Sequence, residues 1–271
     1  MRALIPPLLL AAGCLQGQTL DLYSEFLRIG PSGAPVGVDR TAAPREILSP
    51  GVVRGGYASF QVVVRAERGN YFLFLGQNPP GLIRATLQRL EFVKGREEWI
   101  PDRLAPERRK PIFGVIPDPE AAIPGQSARV YLLDLYIPPT TPSRRTRLEV
   151  QMKTGSWTVA PMELRILPVQ APAARRSRAP VPELDRPAAD AALAPLSAWL
   201  AGKAAGQARG APHAPETLRE VIRRNVEQDL AIATPGMIPL VREKMKTNPS
   251  RGGEWYLAIR DLIYREAGGR E

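Results

Sequence analysis

Residues 57–66 read Tyr-Ala-Ser-Phe-Gln-Val-Val-Val-Arg-Ala. Ala58, Phe60, Val62, Val64 and Ala66 recur at every second position, and Tyr57, Ser59, Gln61 and Arg65 hold most of the alternate ones. In an extended chain a period of two puts the first set on one side and the second on the other. The stretch is expected to be a half-buried strand with one apolar and one largely polar side, part of a sheet packed on something.

The same alternation recurs downstream. Arg129–Ile137 places Tyr131, Leu133, Leu135 and Ile137 on one side. Arg147–Lys153 sets Leu148, Val150 and Met152 against Arg147, Glu149, Gln151 and Lys153, and Trp157–Leu167 sets Met162, Leu164 and Ile166 against Glu163 and Arg165. Lys153-Thr154-Gly155-Ser156 joins the last two as a hairpin turn. Upstream, Gln18–Arg28 is expected to be a first strand, and Gly30–Pro50 is rich in turns. Arg68-Gly69-Asn70 reads as a tight turn that makes Tyr71–Leu75 the hairpin partner of the 57–66 strand. Leu87–Val93 is a further strand, and Ile100–Gln126 a long Pro-rich crossing with no period. About seven short strands with Pro/Gly connections predict an antiparallel β-sandwich of immunoglobulin-like type over residues 18–170.

After residue 170 the pattern changes. Residues 171–186 are a linker of Ala, Pro and Arg without periodicity. Residues 187–271 follow a helical period, which makes the whole chain α+β, a sandwich followed by a small C-terminal α-helical region. Leu193, Leu196, Trp199 and Leu200 form one stripe, and Leu218, Val221, Ile222, Val226 and Leu230 form a second, opened by Pro215. Met237–Lys246 and Glu254–Glu266 complete four amphipathic helices, the last with Trp255, Ile259, Leu262 and Ile263 inward. They either form a small bundle or lie against the sandwich.

The motifs Arg54-Gly55-Gly56-Tyr57-Ala58-Ser59-Phe60-Gln61, Pro117-Asp118-Pro119, Pro124-Gly125-Gln126 and Ile137-Pro138 resemble the N-terminal β-sandwich of a family of secreted bacterial proteins. In that family the sandwich precedes an uncharacterised, glycoside-hydrolase-like barrel. The resemblance covers roughly residues 18–168. Gly55-Gly56-Tyr57 stands where the family has a glutamate before the Ser-Phe-Gln strand, and Ser143–Arg147 replaces a Gly-x-Tyr-x-Gly pattern. The residues after the sandwich are too few for such a barrel, which needs about 250. The resemblance therefore implies the fold and export, and it carries no activity.

Residues 1–17 read as a signal peptide, with Met1-Arg2 as a short positive start, an apolar Ala3–Ala12 interrupted by Pro6 and Pro7, and small residues before a cut after Gly13 or Gly17. Cys14, the single cysteine, follows Leu10-Ala11-Ala12-Gly13 in a pattern that resembles a lipoprotein lipobox. It is either the lipidated first residue of the mature chain or discarded with the signal. Once the signal is removed no transmembrane span is expected, so the location is exported: periplasmic, outer-membrane-attached or extracellular. The 271 residues carry a net charge of +10. The basic residues are spread and mixed with acids, apart from short runs at 108–110, 144–147 and 175–178, which favours a soluble arginine-rich surface over a specific nucleic-acid site.

No catalytic constellation stands out. The one histidine, His213, lies in a Gly/Ala/Pro loop with no nucleophile elbow anywhere in the chain. No Cys pair, H-E-x-x-H or calcium loop occurs, so no metal or other cofactor is expected. Asp118 with Glu120, Glu97 with Glu98, and Asp102 are the carboxylates that could pair across a cleft for glycosidic chemistry, although Asp118 also suits a turn cap. Trp99, Trp157, Tyr131 and Tyr136 are aromatic candidates for stacking on a sugar. Tyr131 falls on the inward side, and Trp157, beside the Thr154-Gly155 turn, is best placed to meet solvent. The candidate ligand-facing residues are thus Trp157, Trp99 and Asp118. The expected function is an exported non-catalytic binding or structural module whose partner is a polysaccharide or another envelope protein. The alternative is a carbohydrate-associated module or shortened relative of the barrel proteins.

Overall fold

The computed structural model describes residues 18–36, 49–66, 69–95, 98–107, 109–172, 215–233, 237, 239 and 252–268, with the backbone alone for 252–258. The expected signal peptide, Cys14, His213 and the helices around Trp199 and Met245 lie outside these residues. So do the side chain of Trp255 and most of the expected linker.

Among the described residues ten strands form two five-stranded sheets. In chain order they are β1 (Thr19–Ser24), β2 (Gly51–Arg54), β3 (Gly56–Arg65), β4 (Gly69–Asn78), β5 (Arg84–Lys94), β6 (Trp99–Pro106), β7 (Ile112–Ile116), β8 (Ala128–Ile137), β9 (Arg144–Lys153) and β10 (Trp157–Gln170). The first sheet runs β1-β3-β8-β5-β6 and the second β2-β10-β9-β4-β7. All pairings are antiparallel except β2 with β10, which is parallel. Two helices follow among the described residues, α1 (Leu218–Ile232) and α2 (Gly252–Gly268).

One apolar cluster takes side chains from both sheets. Phe60, Val62, Tyr131, Leu133 and Leu135 of the first meet Leu73, Leu148, Val150, Met162 and Leu164 of the second. Apart from Leu73 of β4, these are the residues that the alternation of β3, β8, β9 and β10 points inward. Each aliphatic or aromatic side chain taken fully out of water contributes about 1.5–3 kcal/mol, and this cluster is the largest apolar store in the described residues. At its centre the hydroxyls of Tyr71 and Tyr131 bond to each other at 2.7 Å. Burial raises both above the ordinary tyrosine range, Tyr131 to about 12.

The other side of the first sheet corrects the expectation of a half-buried β3. Ser59, Gln61 and Val63 are all fully buried. Helix α1 and the segment after β1 cover them, with Phe26, Leu27, Ile29, Val63, Val130, Leu132, Val221, Ile222 and Val226 in a second apolar cluster. Most polar groups on this side are matched, while the side-chain carbonyl oxygen of Gln61 meets no donor among the described residues. Gln61 donates its amide to the carbonyls of Ser24, at 2.9 Å, and Leu27, at 2.7 Å. Ser59 Oγ donates to Asp134 at 2.7 Å and accepts from Asn225 Nδ2 at 3.0 Å. Arg224 forks onto Asp134 at 2.6 and 3.0 Å and lies 3.7 Å over the ring of Tyr57. Gln228 exchanges two hydrogen bonds with the Tyr57 backbone.

Behind these lies a buried ionic group. Arg260 of α2 donates to Asp229 of α1 at 2.8 Å and to Glu25 at 2.9 Å. Both carboxylates are fully buried, and Glu25 also accepts from Asn225 at 3.0 Å. Tyr264 donates to Asp229, and burial, then the neighbouring Asp229 charge, lifts its hydroxyl well above the usual range. A third cluster, with Val53, Val169, Ile232, Ile259 and Ile263, seats α2 on β2 and β10. The described helices therefore lie against the sheets. Helix α1 starts at a capping box, in which Glu220 N donates to Thr217 Oγ1 at 3.2 Å and Thr217 N donates to Glu220 at 3.3 Å.

Three further expectations are corrected, and β2 is a strand that the alternation did not mark. The strand expected over Gln18–Arg28 ends at Ser24, because residues 25–29 turn under the first sheet. Strand β4 is no hairpin partner of β3, whose two edges are taken by β1 and β8; it crosses to the second sheet and pairs with β9 and β7. The Pro-rich crossing holds β6 and β7, which are the edge strands of the two sheets, and an edge tolerates prolines that donate no ladder bond. Strand β2 lies just beyond the turn-rich stretch; Gly55, at φ 68°, then carries the chain into β3 of the other sheet.

Candidate ligand-binding face

The outward side of the second sheet follows from the register of four strands. Phe113 of β7 lies opposite Phe72 of β4, Phe72 opposite Lys153 of β9, and Lys153 opposite Trp157 of β10. This row of four crosses about 14 Å of sheet at the usual strand spacing of about 4.8 Å. The next row outward-facing along the strands is Phe74, Gln151 and Val159, and the one after it Gly76, Glu149 and Pro161. The β9–β10 turn, closed by Thr154 N donating to Ser156 O at 3.0 Å, holds Trp157 at the end of the first row.

Five large hydrophobic residues are exposed among the described residues, and four of them, Phe72, Phe113, Trp157 and Val159, share this face. Scattered apolar residues are ordinary on a protein surface; a contiguous group is not. Trp157 is 53% exposed and Phe113 52%. The rings are held in tilted pairs, Phe72 with Phe113 at 5.3 Å and Phe74 with Trp157 at 5.2 Å between centroids. Lys153 Nζ lies 5.4 Å from the Trp157 ring centroid and donates to Gly155 O at 3.2 Å. Gln151 Nε2 donates to Glu149 at 2.8 Å, and Arg147 pairs with the same carboxylate. Fixed aromatic planes thus stand beside amide, ammonium and carboxylate groups, an arrangement suited to a ligand with an apolar face and a hydroxylated rim.

The other expected site residues lie apart from this face. Trp99 is half-buried on β6, opposite Lys94 at the far edge of the first sheet. Asp118, in the connection from β7 to β8, accepts from Glu120 N at 3.0 Å and from Arg129 at 2.9 Å, so it caps a turn and neutralises a buried arginine. Asp102 faces Arg219 at 3.6 Å; burial raises its carboxyl above the usual range, and the Arg219 charge opposes that rise. Tyr131 is in the core, and Tyr136 is half-buried with its ring 5.0 Å from that of Tyr57. Among the described residues no three His, Cys, Asp or Glu side chains gather in a way that would hold a metal ion. No described helix is long and apolar enough to cross a membrane. The residues that the sequence reading missed are Phe72, Phe74 and Phe113. The signal was present in Tyr71–Leu75, where two phenylalanines alternate with residues of the core.

No family model and no curated protein matches the chain. Solved structures that resemble it include a family 123 glycoside hydrolase from Clostridium perfringens, at 7% identity and a TM-score of 0.41 over 57% of this chain and 28% of that one. An immunoglobulin domain, RIG-5 IG1, superposes at 16% identity and a TM-score of 0.23 over 44% of this chain and 89% of its own. A lipoprotein from Bacteroides thetaiotaomicron does so at 12% identity and 0.22, over 43% and 72%. The chain thus spans little more than a quarter of the length of the glycoside hydrolase. Its solved neighbours include immunoglobulin-like proteins and a lipoprotein, and the chain itself is mostly β-sheet with two described helices.

Proposed function

We propose that the chain is an exported, non-catalytic module, an immunoglobulin-like β-sandwich braced by C-terminal helices, that binds polysaccharide through the aromatic end of its second sheet. It acts at the bacterial cell envelope or outside the cell. The observation that carries this reading is the placing of Phe72, Phe113, Trp157 and Val159 on one outward face, beside Gln151, Glu149 and Lys153. Sugar rings present C–H faces that pack on aromatic planes and hydroxyls that exchange hydrogen bonds with amides and carboxylates. A face that is aromatic and polar in alternate places suits them better than it suits a wholly apolar partner. Two of the carboxylates expected from the sequence to pair across a cleft are engaged otherwise, Asp118 by Arg129 and a backbone amide and Asp102 by Arg219, and Glu97 lies outside the described residues. That supports binding over hydrolysis.

The test is affinity electrophoresis and pull-down with a panel of soluble and insoluble polysaccharides, comparing the protein with Trp157→Ala and Phe72→Ala. A central aromatic anchor contributes about 2 kcal/mol or more, so retention on at least one polysaccharide should fall roughly thirtyfold in each variant. Retention by none of the panel, or retention unchanged in both variants, overturns the reading. Capture of a folded envelope protein by the same face, with no glycan bound, would replace the polysaccharide by a protein partner.

A further inference from the structure

Away from the aromatic face, a cleft of about 230 Å³ opens between β5 and the 118–126 connection. Arg89, Glu91 and Phe92 form one wall, and Asp118, Gln126 and Arg129 the other. The second wall is rigid. Arg129 and Gln126 are each 7% exposed. Arg129 Nε donates to Val115 O at 3.0 Å and its Nη2 to Asp118 at 2.9 Å. The Gln126 amide is fixed at both ends, accepting from Asp118 N at 2.8 Å and donating to Ala128 O at 3.1 Å. On the first wall Arg89 pairs with Glu91 at 3.1 Å and lies 3.8 Å from Glu107, while its buried Nε meets no acceptor among the described residues.

We infer that this cleft is a second binding site, for a single neutral sugar ring, separate from the sheet face and not dependent on that reading. Size, charge and lining each bear on it. Its volume equals that of about eight water molecules at about 30 Å³ each, and falls below the roughly 300–1,000 Å³ of sites for larger ligands, so it takes one ring and no more. The arginines are matched by Glu91, Glu107 and Asp118, and Glu120 adds a further negative charge on the rim. A second anion is therefore repelled, and neutral hydroxyls, which both donate and accept, match walls of carboxylates, guanidinium and amide. Phe92 and Ile123 supply the apolar lining against which one ring face packs. The polar groups are pre-positioned by their own bonds, so ordering them costs little on binding.

The two sites can be read separately by NMR on isotope-labelled protein. The probes are methyl glycosides of common hexoses and of N-acetylhexosamines, each titrated to about 50 mM, a range that captures the weak affinities of single rings. The Gln126 side-chain amide and Arg89 Nε–H report on the cleft, and the Trp157 indole N–H reports on the sheet face. At least one glycoside should shift the Gln126 and Arg89 signals saturably, and Glu91→Gln should weaken that titration by about tenfold, with the thermal midpoint preserved. A methyl glycoside reports the ring alone. A polysaccharide bearing the same ring only within its chain should leave the cleft signals unmoved, and one ending in it should shift them if terminal residues are the source. No shift of either cleft signal with any glycoside, or a titration unchanged in Glu91→Gln, overturns the inference, whatever happens at Trp157.

Discussion

Replacing Arg260 by methionine should destabilise the protein more than any other single change at the helix–sheet boundary. Its guanidinium lies between two fully buried carboxylates, 2.8 Å from Asp229 and 2.9 Å from Glu25. Methionine keeps most of the volume and removes the charge. Two buried negative charges then face each other across α1 and the segment after β1, with Asn225 and Tyr264 still donating but the Arg260 charge removed. Removing one partner of a buried pair costs about 3–5 kcal/mol, a large share of the roughly 5–15 kcal/mol that holds a domain folded. For a chain of this size the melting midpoint should fall on the order of 10 °C. The assay is a calorimetric melt with a urea titration, which also tests whether the slope with denaturant is unchanged. Restoring neutrality by adding Glu25→Gln and Asp229→Asn should recover more than half of the loss, because the penalty lies in the stranded charges. A single variant that melts within about 2 °C of the parent protein, or a triple variant that melts below it, would refute the account of the ionic group.

Trp157→Ala should leave the melting midpoint nearly unchanged, within about 1 kcal/mol in stability, since the ring is 53% exposed, while polysaccharide retention falls. Gly114→Ala should cost about 1–3 kcal/mol, because a new Cβ there collides with the buried ring of Tyr71; a denaturant titration measures it, and a neutral result would show that the ring can move aside. Thr217→Ala removes the hydroxyl of the capping box and should cost about 1 kcal/mol, with faster amide exchange confined to the first turn of α1. Tyr131 keeps its proton until about pH 12 in the folded protein, against an ordinary 10.0. Unfolding therefore releases a proton between those values, and the contribution, complete below about pH 10, is lost as pH rises, by about 2–3 kcal/mol. Urea midpoints taken across that range should decline, and decline less steeply in Tyr131→Phe.

How much of this was legible in the sequence depends on whether a residue's environment is set by its own strand or by a distant element. Alternation located β8, β9 and β10 and pointed Leu148, Val150, Met152, Met162, Leu164 and Ile166 inward, where they are. It could not show that Ser59 and Gln61 would be buried, since their cover, Asn225 and the 24–29 turn, is supplied by segments far along the chain. The 57–66 strand looked half-solvated because its second side is polar; that polarity serves side chains of α1. Prolines hid β6 and β7, because Pro101 and Pro106 argue against a central strand and say little about an edge. The exposure of Trp157 followed from its place beside a turn. Its partnership with Phe72, Phe74 and Phe113 depended on strand order between the sheets, which periodicity does not encode. Glu25, Asp229 and Arg260 carried no local mark at all, being three charged residues spread over more than two hundred positions.

That separation along the chain bears on synthesis. The strands through Gln170 leave the ribosome before Arg260 does, and the ninety residues between them take about 5–20 s to translate. For the first part of that interval Ser59 and Val63 lack the α1 half of their cover, and for all of it Glu25 lacks the Arg260 guanidinium. The nascent β half must wait, half-dressed and prone to wrong associations, until its tail arrives. A stop codon or a protease cut after residue 170 should accordingly yield insoluble material in place of a smaller working unit.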